Sequence, residues 1–571
     1  MFVVRVMPIA RGMFKDRLTF FSRDPMPEGS VVNVTIRNKQ TPALIVESED
    51  ARSEKSTIRS ADFALKKIPP TARPKRVFTD IFIEASKEIA LWHGVSESAI
   101  FSTLTSTVIL ESSNRLEPVT VENEKIKSDT DIPVRADLLI LQAEYLERLR
   151  TYRNLVREAF ARSSSVLLIT PTIAEAEALE SELGRGIEGR TILMTSNVPK
   201  KRLILGWNKA VTEKEPLLII GTAFALSVPR RGIDTVIVER ESARTYKGVQ
   251  RPHLDVRRAA EFLARKSGAR LILADFPVRV ETKYRVDAHE MDELARPQSR
   301  TSSSAKIAII DTRKKDNTKG TKRIFTTLTE DTKHEIKDEV AKGGRVVVFA
   351  IRRGISPLTV CNDCGTPVTD PMGAPMTLHK SGSGNVFMSH RSGAILPAET
   401  SCKLCGSWDL VTLGIGVDRV ADELKKAFPE QSVLVFTKDT TPTHLVASKL
   451  RDQFYNTPGA ILVGTERMLP YLKEPVELVV VASLDSLLSL SAWRAHEQAL
   501  SLLFYLRERA ELKFILETRE IENAAIQSFS SGNPNDFYRD EITERERYNY
   551  PPFTVFIGLG WHGTKHAVEK M

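Results

Sequence analysis

Glycine is missing from residues 95 to 183 of a chain that holds 29 glycines. A backbone that wraps a phosphate closely needs glycine, so this gap excludes a glycine-rich phosphate loop anywhere in that span. Cysteine is sparse too, with four in 571 residues. In a chain without an export signal, so few cysteines argue against a disulfide framework. Long apolar runs are also absent. Leu478 to Leu484, closed by Asp485, falls far short of the roughly 18 to 20 residues that cross a bilayer, and Arg5 interrupts the first apolar run. These absences predict no signal peptide, no membrane span and a cytoplasmic location.

The composition that is present, 42% hydrophobic and 27% charged, suits several buried cores, so three or four domains are expected. The formal charge of +9 is compatible with a polyanionic partner and equally with plain solubility. Residues 1 to about 70 alternate apolar and polar positions in short runs, as a small β-domain does, and 77 to 111 carry helical spacing. Residues 112–135 are polar and without period, which predicts a linker.

From 136 to about 285, the runs VLLITP, TILMTS, LLIIGTA, DTVIVE and RLILAD alternate with amphipathic stretches, which predicts a parallel sheet wrapped by helices. The segment 292–325 is basic and rich in Ser and Thr, and reads either as a solvated linker or as a phosphate-contacting strip. A second α/β pattern opens at RVVVFAI and resumes with SVLVFT, AILVGT, LVVVAS and KFILET. Two such halves suggest the paired RecA-like lobes of a nucleic-acid motor.

The cysteines come as two C-x2-C pairs, Cys361 with Cys364 and Cys402 with Cys405. Four thiolates at this spacing give tetrahedral zinc its preferred ligands, and a closed site of this kind is structural. The 37 residues between the pairs (365–401) exceed the span of a compact zinc ribbon, so they are expected to fold back as a hairpin or small lobe. His379 and His390 lie in this insert but are not needed as ligands.

At VVVFAIRRGISPLTVCNDCG (346–365) the chain resembles the primosomal protein N′ family, PriA, in which a strand ending Arg-Arg-Gly leads into the first zinc knuckle. The likeness continues through SCKLCGSWDLVTLGIGVDRVADELKKAFPE, KDTT (Lys438 to Thr441), ILVGTERML (461–469), IIGTAFAL (219–226) and PPF (Pro551 to Phe553). It implies an α/β fold with two RecA-like parallel-sheet lobes, an N-terminal β-rich DNA-binding domain and a zinc-binding insert. The implied division is 1–111 for a domain binding the 3′ end of DNA, 112–135 for a linker without the family's winged helix, and 136–291 for the first lobe. It continues with 292–325 as the connector, 326–360 with 406–530 as the second lobe, 361–405 as the insert and 531–571 as a truncated C-terminal segment.

The family's ATP-dependent 3′ to 5′ DNA helicases reload the replisome at stalled forks. The resemblance therefore implies forked or 3′-ended DNA as partner, with other primosome proteins and single-stranded DNA-binding protein as further ones, no membrane, and a monomer. Thr222, Thr465, Arg352, Arg353 and Lys39 are its implied DNA contacts. For Thr222 and Thr465 the alternative is simply a good helix start. The aspartate of the family's 3′-end pocket is replaced, with Thr19 or a neighbour in its place.

The nucleotide motifs depart most. The family's G-x-G-K-T falls on Tyr145, Leu146, Glu147, Arg148 and Leu149, and its D-E-x-H on Glu239, Arg240, Glu241 and Ser242. The later Gln and arginine-finger motif corresponds to Tyr505 to Leu512, where Arg509 is kept and both glycines are gone. Phosphoryl transfer depends on positioned charge, so three altered parts of one site point to lost or reduced ATPase and helicase activity, with ATP and Mg²⁺ in doubt as cofactors and one structural zinc kept. The alternative is an active helicase with a non-standard nucleotide site.

Overall fold

A computed structural model describes residues 1–9, 17–52, 66–69, 73–120, 136–312, 327–351, 358–361, 363–364, 366–371, 376–381, 384–389, 394–397, 400–413, 416–488 and 492–558. At the N-terminus, β1 (Phe2–Pro8), β2 (Leu18–Ser22), β3 (Ser30–Ile36), β4 (Lys39–Asp50), β5 (Lys66–Lys67) and β6 (Lys75–Arg76) form one sheet in the order β5-β2-β1-β4-β3-β6. The β3–β4 turn has Arg37 and Asn38 at φ 47 and 63, the left-handed pair that a two-residue hairpin requires. Val4, Val6, Val32, Val34 and Ile45 fill a core on one face. Met7, Ile9, Val31 and Leu44 on the other join a larger core with the helices α1 (Asp80–His93), α2 (Glu97–Leu104) and α3 (Thr107–Glu111). That core is continuous with the first lobe, where Phe78 meets Trp207 edge-on at 6.1 Å.

The first lobe runs β7 (Leu138–Gln142), α4 (Tyr145–Ala161), β8 (Ser165–Ile169), α5 (Ile173–Leu183), β9 (Thr191–Met194), α6 (Lys200–Thr212), β10 (Leu218–Gly221), β11 (Ile233–Glu239), α7 (Val256–Ser267), β12 (Arg270–Asp275), α8 (Val280–Asp287) and β13 (Asp292–Glu293). The strand order is β13-β7-β12-β11-β8-β10-β9, with every pairing parallel, as expected of β-branched runs alternating with amphipathic helices. At Gly221 a Cβ would lie 2.2 Å from the Met194 carbonyl oxygen, so only glycine fits there.

The second lobe opens earlier than its sequence pattern suggests. Residues expected in the connector form β14 (Lys306–Asp311), an edge strand parallel to the last strand of the lobe. It is followed by α9 (Glu330–Ala341) and β15 (Val346–Phe349), then by the insert strands β16 (Leu358–Cys361), β17 (Thr377–Ser381), β18 (Gly384–Met388), β19 (Ile395–Pro397) and β20 (Leu410–Leu413). The lobe resumes with α10 (Val417–Ala427), β21 (Val433–Phe436), α11 (His444–Asn456), β22 (Ile461–Gly464), β23 (Val476–Val481), α12 (Asp485–Leu488), α13 (Ala495–Arg507), β24 (Ala510–Thr518), α14 (Ala524–Ser531) and α15 (Asn535–Arg547). Its sheet has the order β14-β24-β23-β15-β22-β21. In the insert, β16 pairs with β20, and β17, β18 and β19 fold as an antiparallel sheet between them, the fold-back its length demands.

The lobes meet along an apolar seam in which Phe276 of the first stands edge-on to Phe504 of the second at 5.2 Å. The helix α15 straps across it. Tyr538 donates to Val278 O (2.8 Å) and Gln142 Oε1 (3.2 Å), both in the first lobe. Arg545, 1% exposed, donates to Glu541 (2.8 Å) and Glu497 (3.0 Å) and faces Glu281 at 3.7 Å. Glu497 in turn accepts from Val280 N at 2.8 Å, and Arg494 pairs with Glu281.

The interlobe cleft and the cysteine centre

The carboxyl ends of β7, β11 and β12 point into the cleft, and α4 starts where β7 ends. The five positions at which the resemblance implies a phosphate loop form the first turn and a half of this helix, and helical geometry sends them three ways. Leu146 and Glu147 face solvent, Leu149 enters the core, and Tyr145 and Arg148 turn into the cleft.

Arg148, 3% exposed, grips Glu239 with two parallel bonds, Nε to Oε2 at 3.0 Å and Nη2 to Oε1 at 2.8 Å. Its Nη1 donates to Ala143 O at 2.6 Å, and Tyr152 OH donates to Glu239 Oε2 at 2.5 Å. Both carboxylate oxygens of Glu239 are therefore engaged by groups of its own chain. Burial works against the charge of Arg148, but Glu239 and Glu508 outweigh it and hold its pKa above the ordinary value. A bidentate, buried pair of this kind is strong because breaking it strands a charge.

The second lobe closes the site from the opposite side. Glu508 accepts from Tyr145 N, at the N-terminus of α4, over 3.4 Å. That helix end carries partial positive charge and unpaired N–H groups, the seat an anion prefers. Burial pushes the Glu508 carboxyl up to about 7, against the pull of Arg148 and Arg509. Arg509 lies over the rings of Tyr505 (4.8 Å) and Tyr145 (5.5 Å) and donates to Leu472 O at 2.8 Å. Burial raises the Tyr145 phenol to about 12, with Glu239 adding to the rise.

Arg240, in the left-handed region at φ 51, pairs with Glu175 at 2.6 Å and stacks over Tyr505 at 4.9 Å. Glu241 turns away and accepts from Arg279 N at 2.6 Å, and burial raises its carboxyl to about 7. Ser242 donates its backbone N–H to Asp275 at 2.8 Å. At the mouth of the cleft Glu144 anchors the connector, accepting from Gln298, Thr301 and Ser302. Burial opposes its charge, but the Ser302, Thr301 and Gln298 hydrogen bonds prevail and lower its pKa.

Sequence reasoning names Glu239, Arg240, Glu241, Arg148 and Arg509, and the fold brings Glu239, Arg240, Arg148 and Arg509 together at the cleft. It misses Glu508, Glu144, Glu175, Tyr152 and Tyr505. The signal available was the gain of an arginine opposite a carboxylate, since a charge of that sign in a buried cleft needs a partner.

Of the implied DNA contacts, Thr465 caps a short 3₁₀ turn by accepting from Arg467 N (3.5 Å), whereas Thr222 opens a similar turn with no side-chain cap. Lys39 is exposed beside the β3–β4 turn. Thr19 lies within β2, paired opposite Arg5. Arg352, Arg353 and His390 fall outside the described residues.

The four cysteines converge, with all sulfurs within 4.8 Å of one another and Cys361–Cys405 and Cys364–Cys402 each at 3.4 Å. A tetrahedral centre with metal–sulfur bonds of about 2.3 Å sets sulfurs roughly 3.8 Å apart, so the donor set fits zinc. Cys364 Sγ also lies 3.1 Å from Thr366 Oγ1. Gly406, at φ 73, turns the second knuckle, where Leu404 N donates to Cys402 Sγ at 3.4 Å. Four sulfurs leave no open position, so the group can hold a metal ion structurally.

Two RecA-like parallel lobes, a β-rich N-terminal sheet and a four-cysteine insert define a helicase-like α/β protein. Among known sequences, the chain is 24% identical over 418 residues to the replication restart protein PriA of Bacillus subtilis (70% of this chain, 50% of the relative) and 26% identical to that of Synechocystis (73% and 52%). It is 24% identical over 567 residues to that of Helicobacter pylori (97% and 85%). The chain is thus similar to PriA proteins of several bacteria and spans about half the length of the Bacillus and Synechocystis relatives. No family model matches it. Solved structures similar to it include RecG bound to a three-way DNA junction (TM-score 0.40, 9% identity, 86% of this chain and 48% of that one) and the DUF1998 helicase MrfA bound to DNA (0.40, 11%, 71% and 46%). No helix among the described residues is long and apolar enough to cross a membrane.

Proposed function

We propose that this chain binds DNA at stalled replication forks as a PriA-like scaffold in replication restart, with ATP hydrolysis and unwinding lost or strongly reduced. The observation that carries the loss of chemistry is the buried Arg148–Glu239 pair, with Glu508 set at the N-terminus of α4. A nucleotide would have to displace a side chain at each place where phosphate and Mg²⁺ act. Cys361, Cys364, Cys402 and Cys405 would hold one zinc ion, which supplies a structural cross-link and no chemistry. DNA as partner is supported by similarity to replication restart proteins, by the net charge and by the Gly-Thr loops at Thr222 and Thr465.

Retention of Glu239 and Arg509 at family positions favours a second reading, an active helicase with a non-standard nucleotide site. The test of the scaffold is binding of a labelled fork with a free 3′ end by the zinc-loaded protein over a salt series. The expected result is fork affinity that falls steeply with salt, about 0.9 in log–log slope for each phosphate contact on duplex. Salt-independent or absent binding would overturn it.

A further inference from the structure

Domains joined by small, polar interfaces move against each other, whereas a large apolar interface holds them together. Here Ala174, Phe276, Val278 and Val280 of the first lobe, each 3% exposed or less, belong to the same hydrophobic core as Phe504 and Tyr538 of the second. The seam between the lobes is thus a shared core rather than a wet contact.

Polar groups on separate elements tie this seam. Glu497 on α13 accepts from Val280 N at 2.8 Å, where α8 begins without a side-chain cap from its own N-cap residue. On α15, Tyr538 reaches Val278 O and Gln142, and Arg545 stands between Glu541 and Glu497 of the second lobe and Glu281 of the first. Burial works against the charge of Glu281, but Arg279, Arg494 and Arg545 outweigh it and bring the carboxyl down to about 2. Away from α15, His444 Nε2 on α11 donates to Glu177 Oε2 on α5 at 2.8 Å, and Arg244 faces Glu466 at 3.3 Å.

A ligand moves an equilibrium between two arrangements only by binding one of them more tightly. In the cleft the lobes already touch, Glu508 with Tyr145 N and Arg240 with Tyr505, so a nucleotide finds no gap whose closure it can drive. We infer that the chain itself locks the two lobes into one arrangement, with α15 as the clamp and Arg545 as the positioning residue at its junction. The lock holds with or without DNA, so it goes beyond the fork-binding reading and does not rest on it. Whatever binds across both lobes meets a preset surface rather than one that closes on it.

The experiment is pulsed dipolar spectroscopy on the full, zinc-loaded chain. Nitroxides are placed at the exposed Lys214 of the first lobe and Lys337 of the second, on ketone-bearing residues so that the cysteines stay with zinc. The interlobe distance is read alone, with Mg-ATP, with Mg-ADP and with forked DNA, and again in Arg545→Met and Tyr538→Phe. Zinc content and thermal melting serve as folding controls. The lock predicts one narrow distance that none of the additions moves, and a broadened distribution with a longer component in Arg545→Met. Tyr538→Phe removes two hydrogen bonds across the seam while keeping the ring, so it folds and shows the same change more weakly; it decides the matter where Arg545→Met fails to fold. A distance that shifts when Mg-ATP is added to the unaltered chain would overturn the lock, and the proposed loss of hydrolysis stands beside that result if the same sample releases no phosphate. Folded variants that keep the narrow distance would overturn α15 as the clamp. Absence of fork binding by the unaltered chain, read by anisotropy, would overturn the fork-binding reading and leave the lock standing.

Discussion

The interlobe cleft and the cysteine insert began from the same kind of material, a few side chains brought together by distant segments, and they differ in what has been kept. At the insert all four ligands remain and converge within 4.8 Å. At the cleft the positions that the resemblance implies for phosphate and metal carry buried side chains that pair with one another. A group needed for folding keeps its chemistry; under the proposed function, the cleft has exchanged ligand contacts for internal ones. The strap of α15 shows the same exchange, with Arg545 joining acids from both lobes.

The sharpest break in the comparison is at the insert. Cys402→Ser is expected to release the metal and unfold 358–413, since a structural zinc site contributes roughly 10 kcal/mol or more to its own fold. Metal analysis should fall from about one zinc to none, with new protease cleavage confined to the insert. Next in size is Arg148→Ala, which strands Glu239 in a buried cleft. It should lower stability by about 3 to 5 kcal/mol in urea unfolding, whereas removing an exposed arginine should not.

A smaller effect follows pH. Glu508 and Glu241, held near 7 against an ordinary 4.5, contribute stability that is full below about pH 4.5 and is lost as pH rises through 7. Glu261 and Glu281, where neighbouring arginines overcome the burial that opposes charge and bring the carboxyls down to about 2, contribute stability present above 4.5 and lost as pH falls through 2. Stability should therefore peak between these windows. Glu508→Gln should flatten the loss between pH 4.5 and 7, by on the order of 1 kcal/mol per pH unit at most, in melts at stepped pH. The smallest effect is at Glu147, whose exposed pair with Arg150 (3.0 Å) sits at a phosphate-loop position. Glu147→Ala should change stability by about 0.5 kcal/mol or less, and a larger change would mean that this residue reaches the cleft.

Much of this was legible in the sequence. The strands of both lobes could be read because fully buried parallel strands are continuous runs of Val, Ile and Leu, and the insert's fold-back because 37 residues cannot lie flat between two knuckles. β14 was not legible, since KIAIID is one short apolar run inside a basic, Ser-rich stretch. The cleft was legible from one side only. Arg148 and Glu239 belong to one lobe and fall on recognisable motif positions, whereas Glu508 and Tyr505 reach the site through the orientation of one lobe on the other, which no local pattern encodes.

The proposed loss of ATP hydrolysis requires that the protein's own side chains fill the nucleotide site. ATP turnover by the zinc-loaded protein, with and without forked DNA and beside Glu239→Ala, tests it most directly. The expected result is no turnover above background in any of these and no rise in melting temperature on adding Mg-ATP. Turnover that rises with forked DNA and falls in Glu239→Ala would contradict it.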